Sequence, residues 1–125
     1  PERKLIARVG TRARALHYQW SSFALTEMEN YLWHSFRHTE VYPESKRVPE
    51  VVHSNSDEYR AGAKVLNNVL ADSKYLVGND FSVTDIIVSW LVNWGRRLGL
   101  LDNLLALNDY LKRLFEREHC TLRQD

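Results

Sequence analysis

The sequence predicts an all-α fold, a helical bundle of four main helices, and three observations lead there. Apolar residues recur at spacings of three and four through several long segments, the period of an α-helix with one buried face. Three Pro and five Gly are too few for a turn-rich all-β chain. No alternating apolar and polar run of strand length occurs anywhere. A length of 125 residues with 44% hydrophobic content fits one domain around one core.

Residues 1–10 read as a linker and basic lead-in, punctuated by Gly10. The first helix is expected over Thr11 to Phe36. Ala13, Leu16, Trp20, Phe23, Ala24, Met28, Tyr31 and Leu32 form its apolar face. Arg14, Tyr18, Ser22, Thr26, Glu29 and Trp33 lie on the opposite side. Residues 37–48 read as a polar loop, because Pro43 forbids helical continuation.

Pro49 suits the first turn of the second helix, where its missing N–H costs nothing. From Asp57 onward, Tyr59, Ala63, Leu66, Val69 and Leu70 make one stripe. Val51 to Ser56 either join that helix or fray from it. Gly62 falls on the stripe and costs about 1 kcal/mol relative to Ala. A close approach by a neighbouring helix would explain it. The helix is expected to end near Asp72, with a turn at Gly78-Asn79.

The clearest local signal follows. Ser82 is placed to cap a helix, and Asp85 three residues on completes a capping box. Phe81 and Ile86 have the spacing of a hydrophobic staple. The Asp85 carboxylate also sits at the positive end of the helix dipole. Ile86, Ile87, Trp90, Leu91 and Trp94 make this third helix so apolar that burial on most sides is expected, as far as about Arg97. Gly99 stops it. Asp102 or Asn103 is expected to cap the last helix, which carries Leu104, Leu107, Tyr110, Leu111, Leu114 and Phe115. The helical domain spans residues 11–117, and residues 118–125 read as a loose tail.

Tyr75-Leu76-Val77-Gly78 followed by Phe81-Ser82-x-Thr84-Asp85-Ile86 resembles a stretch of the glutathione S-transferase superfamily. There a Ser-x-x-Asp box caps the buried sixth helix of the C-terminal all-helical domain. The resemblance makes Ser82 and Asp85 structural. It extends upstream, where Leu5-Ile6, Arg12-Ala13, Trp20, Phe23 and Glu27 are similar to the interdomain linker and fourth helix. It extends downstream through Leu107, Tyr110, Leu111 and Arg113 to Arg117. The chain departs from the family pattern at Thr84, where Ala is usual, and at Glu118, where Pro is usual.

The resemblance implies a C-terminal domain that supplies part of a hydrophobic electrophile pocket and of a dimer interface. The parent enzyme would conjugate glutathione, its co-substrate, to small electrophiles. The family's N-terminal thioredoxin-like domain, which binds glutathione and activates its thiol, is expected to be a separate partner segment absent from this chain. The start at Pro1 rather than Met agrees with a piece of a longer protein. No catalytic residue is therefore expected within the chain, and alone it is expected to be inactive and to bind no cofactor. Tyr18, Ser22, Thr26 and Trp33 on the first helix, with Trp94 on the aromatic third, are the candidate pocket residues. Their plainer reading is a half-exposed face that packs on another domain.

Other chemistry has little footing. Seventeen Lys+Arg against sixteen Asp+Glu leave a net charge of +1, which offers no footprint for nucleic acid. The charge is uneven. Arg3, Lys4, Arg8, Arg12 and Arg14 face only Glu2 in the first fourteen residues, a solvated lead-in or a dock for an acidic partner. His34 and His38 have metal-ligand spacing without a third ligand, so no metal is expected. Glu27 is expected to serve a buried hydrogen bond or salt bridge. Cys120 is the single cysteine and cannot form an intramolecular disulfide, so a cytoplasmic setting is expected. No run is long enough to span a membrane. A transferase-like protein–protein docking module without catalysis is the alternative function. A small metal or haem bundle built on the five histidines is a weaker one.

Overall fold

The computed structural model describes residues 4–122 and 124–125. Glu2 and Arg3 of the basic lead-in lie outside the described residues. Among those residues the chain is helical throughout, with no strand beyond a single bridge between Tyr75 and Gly78. The first helical run contains α1 (Arg12–Ala24), a π turn (Leu25–Glu29), α2 (Asn30–Phe36) and a second π turn (Arg37–Val41). A 3-10 turn (Glu44–Lys46) leads to α3 (Pro49–Leu70), α4 (Val83–Arg97) and α5 (Leu105–Phe115). The bundle is the expected all-α architecture.

Thr11 caps α1, its hydroxyl accepting the Arg14 N–H at 3.2 Å. The helical run passes Phe36 and ends at Val41, five residues into the expected loop. Pro43 restricts only the residue before it. Tyr42 is accordingly extended, with φ −73° and ψ 146°, and everything upstream is free to stay helical. Pro49 opens α3, and Val51 to Ser56 belong to that helix. Gly62 is where α3 meets the first π turn. A Cβ there would lie 2.8 Å from the Glu27 carbonyl oxygen and 3.0 Å from Met28 Cγ. The Glu27 side chain itself is exposed, contrary to the buried role expected of it. The extra residue of the π turn leaves the backbone of Glu27, not its carboxylate, against the core.

Ser82 and Asp85 form the capping box of α4. Asp85 is fully buried and gathers four donors. Oδ2 accepts from the Ser82 N–H at 2.9 Å and its hydroxyl at 3.2 Å; Oδ1 accepts from the Leu76 N–H at 3.2 Å and the Tyr110 hydroxyl at 2.9 Å. Gly99, with φ +72°, closes α4 in a Schellman motif, in which Leu100 N–H bonds Gly95 O at 2.9 Å and Gly99 N–H bonds Arg96 O at 3.0 Å.

The helix α4 is mostly buried, as its apolar content predicts, with Thr84, Asp85, Val88, Ser89, Leu91, Val92, Asn93 and Gly95 inside. It packs against α1 and α5, and Tyr59 of α3 meets it at Leu91 and Gly95. One stripe is bare, where Ile86, Ile87 and Trp90 stand at the surface, Trp90 52% exposed. One expectation is corrected here. The cap of α5 is neither Asp102 nor Asn103. Asn103 turns the chain with φ +64°, and the helix begins at Leu105, beyond reach of either side chain. Asn67 of α3 supplies the cap instead, its Oδ1 accepting the Leu107 N–H at 3.0 Å.

The core joins Met28 and Leu32 of the first run, Tyr59 and Leu66 of α3, Val88, Leu91 and Val92 of α4, and Leu107, Tyr110, Leu111 and Leu114 of α5. From the tail, the Asp125 carbonyl accepts from Arg96 Nη2 at 3.4 Å, and Thr121 and Leu122 line a cleft shared with α4.

Candidate functional site

Helical spacing on two neighbouring elements builds an aromatic surface. On α2, Trp33 and Phe36 are three apart and stack with centroids 5.5 Å apart and planes at 26°. On α4, Trp90 and Trp94 are four apart and meet edge to face at 5.2 Å. Phe36 joins the two pairs through an edge-to-face contact with Trp94 at 6.2 Å. Trp33 is 49% exposed, so the cluster is a surface feature and not core packing alone.

Two clefts flank this cluster. The outer one, about 520 Å³, is lined by Trp33, Phe36, Trp90, Asn93, Trp94 and Arg97, with Thr121 and Leu122 of the tail. The inner one, about 450 Å³, runs between the first helical run, α3 and the end of α4. Its apolar floor includes Tyr31, Leu32 and Leu100, and its polar groups include Ser35, Glu40, Asn55 and Arg97. Asn55 is buried and held in place, its amide 3.3 Å from His34 Nδ1 and donating to Ser35 Oγ at 3.2 Å.

Of the residues singled out in the sequence, Trp33 and Trp94 meet at the outer cleft. Tyr18, Ser22 and Thr26 line neither cleft. Tyr18 is 59% exposed, its hydroxyl accepts from Arg14 Nε at 2.9 Å, and the Arg14 guanidinium lies over its ring. Ser22 and Thr26 are exposed on the following turns, the Thr26 hydroxyl donating to the Ser22 carbonyl at 3.0 Å. Sequence reasoning passed over Phe36, Trp90, Asn93 and Arg97. The signal for them was present in two aromatic pairs at helical spacing, the second followed one turn on by a basic residue.

The lead-in is tied to the bundle beside Tyr18. His17 is buried on α1, and its Nε2 accepts the Ala7 N–H at 3.1 Å. In the neutral ring Nδ1 then carries the proton and donates it to Thr84 Oγ1 at 2.7 Å. Arg14 Nη1 donates to the Ala7 carbonyl at 2.6 Å, and the Val83 N–H to the Leu5 carbonyl at 2.8 Å. Burial, then the nearby Arg14 charge, lowers the His17 pKa, and Asp85 opposes that in part.

His34 and His38 meet edge to face at 5.0 Å, and His38 Nδ1 is taken by the Val48 N–H at 3.0 Å. Among the described residues no group of three or more His, Cys, Asp or Glu is arranged to hold a metal. Nor is any helix there long and apolar enough to cross a membrane.

The family model for the glutathione S-transferase C-terminal domain matches residues 25–118, three quarters of the chain. This chain belongs to that family. No curated protein matches the sequence. Among solved structures, a glutathione S-transferase domain-containing protein from Marinobacter aquaeolei superimposes with a TM-score of 0.79 at 19% identity, over 94% of this chain and 60% of its own. A glutathione transferase from Phanerochaete chrysosporium, in complex with oxidized glutathione, gives 0.78 at 23% identity, over 93% and 54%. A theta-class glutathione S-transferase from Xanthomonas axonopodis pv. citri, with glutathione bound, gives 0.72 at 18% identity, over 90% and 59%. At these identities the likeness is one of fold. This transferase-type domain spans between half and three fifths of the length of those proteins.

Proposed function

We propose that this chain is the helical half of a glutathione transferase, and that its outer cleft forms part of the site for a small hydrophobic electrophile. The observation that carries the reading is the ring of Trp33, Phe36, Trp90 and Trp94 around an open cleft, on a domain of the transferase family. A cleft walled by aromatic faces with a few polar groups suits a flat, apolar molecule. In this reading glutathione is the co-substrate, and its site and thiol-activating group belong to an N-terminal thioredoxin-like domain. We assign no catalytic residue to this chain. The chain orients the electrophile and excludes water from it, while the thiolate sulfur attacks from the other domain.

Trp33 and Trp94 are assigned to that pocket. Tyr18, Ser22 and Thr26 are assigned to the face of α1 that another domain or a second subunit of a homodimer covers. The domain is residues 11–117, joined through the linker of residues 1–10, and the setting is the cytoplasm, where detoxification of electrophiles takes place.

The test is calorimetry with glutathione, on this chain and on the longest native polypeptide containing it, side by side. Binding by the longer polypeptide alone supports the reading. Binding by neither removes it and puts a docking module in first place, with the aromatic face as the docking surface.

A further inference from the structure

The outer and inner clefts share three residues, Phe36, Trp94 and Arg97. Phe36 and Trp94 touch edge to face, so their rings are the wall between the two spaces. Phe36 is the last residue of α2, immediately before the second π turn, and its ring is partly exposed instead of sunk in the core. Removing that ring opens the wall without emptying the bundle interior. Arg97 ends α4 and is exposed at the mouth of both spaces. Among the described residues no carboxylate lies within 4.0 Å of it. Its neighbour Arg96 is engaged otherwise, donating to Asn93 Oδ1 at 2.9 Å and lying over the Phe115 ring. A guanidinium beside stacked aromatic rings recognises an acid group attached to an aromatic body, because its fork matches two oxygens of a carboxylate or sulfonate.

We propose that Phe36 and Arg97 determine which molecules this cleft admits, Phe36 by length and Arg97 by charge. The inference rests on the reading of the cleft as a ligand site given above. The accepted class is an aromatic molecule bearing one acidic group. Its rings lie on Trp33, Phe36 and Trp90, and its acid group pairs with Arg97. Phe36 keeps such a molecule in the outer space, and molecules long enough to reach Asn55 are turned away by the wall.

The experiment uses fluorescent probes on the longest native polypeptide, without glutathione. Anilinonaphthalene sulfonate carries the acid group, phenylnaphthylamine has the same rings without it, and the bis form of the sulfonate is the long probe. The sulfonate is expected to bind about tenfold tighter than the amine, a preference that fades with added salt. Arg97→Met should remove the preference and leave the amine unchanged, and Arg97→Lys should keep much of it. Phe36→Ala should tighten the long probe by about tenfold relative to the short one. Phe36→Leu, which keeps more of the helix face filled, should fall between if the alanine variant folds poorly. Equal affinities in the wild type, equal weakening of both short probes by Arg97→Met, or no relative gain for the long probe in either Phe36 variant overturns the proposal. A polypeptide that binds glutathione but shows no charge preference loses this inference and keeps the transferase reading. One that sorts the probes without binding glutathione keeps the selective cleft and loses the transferase.

Discussion

The Tyr110 hydroxyl donates to Asp85 Oδ1 at 2.9 Å, so the last helix holds the carboxylate that caps α4. An exposed cap contributes about 1 kcal/mol. Asp85 is fully buried and serves four donors from three segments. Asp85→Ala leaves the Tyr110 hydroxyl and the Leu76 N–H without an acceptor in the interior. The expected loss is about 3 kcal/mol or more in urea denaturation. Tyr110→Phe removes one donor and should cost about 1 kcal/mol. In the double mutant the losses should fall short of additive, since both act on one network. A loss no greater than an ordinary cap in Asp85→Ala would mean the network is not coupled.

Asn67 caps α5 from another helix through its bond to the Leu107 N–H. Asn67→Ala should destabilise the domain by about 1 kcal/mol. Asp102→Ala, which removes the residue that sequence spacing nominates, should cost much less. Thermal melts of the two variants decide between them.

His17 makes the bundle sensitive to acid. Its folded pKa lies below the ordinary 6.5, first because of burial and then because of Arg14, with Asp85 opposing. Protonation would put an N–H on Nε2, against the Ala7 N–H it now accepts. The sign follows from linkage. A depressed pKa contributes stability that is present above the unfolded value and is lost as pH falls through the folded one. The wild type should therefore lose stability from about pH 6.5 downward. His17→Gln should flatten that part of the pH–stability curve, and the protection of the Ala7 amide against exchange, relative to its intrinsic rate, should fall with acid only in the wild type. Parallel curves for the two proteins would remove His17 as the cause.

Tyr59 and Gly95 interlock. The Tyr59 hydroxyl donates to the Leu91 carbonyl at 3.1 Å, and a Cβ on Gly95 would overlap that hydroxyl and the Cζ that carries it. Gly95→Ala should cost about 3 kcal/mol despite the better helix propensity of Ala. Adding Tyr59→Leu should recover part of the loss, measured by denaturant midpoint.

Much of the fold was legible along the chain. Thr11, Pro49, Ser82, Asp85 and Gly99 act where local chemistry places them, since capping, proline restriction and left-handed glycine need only near neighbours. The family likeness rested on the same segment. The first helical run continues five residues beyond Phe36, because Pro43 bends only Tyr42 out of the helix and leaves Arg37–Val41 free to stay in it. The site was half legible. The two aromatic pairs and the basic residue after the second stand at helical spacing in the sequence, but only the packing of α2 beside α4 joins them into one cleft.

By itself, then, the sequence determined the helices, the capping box of α4 and the all-α class, because each depends on residues within a turn or two of one another. Only the tertiary structure decided which faces are covered. Packing leaves the Ile86–Trp90 stripe of α4 bare, lends Asn67 of α3 to the start of α5, and ties His17 to Thr84 across 67 residues. Those relationships join distant positions, and no local preference for helix, turn or cap encodes which distant partner a side chain will meet.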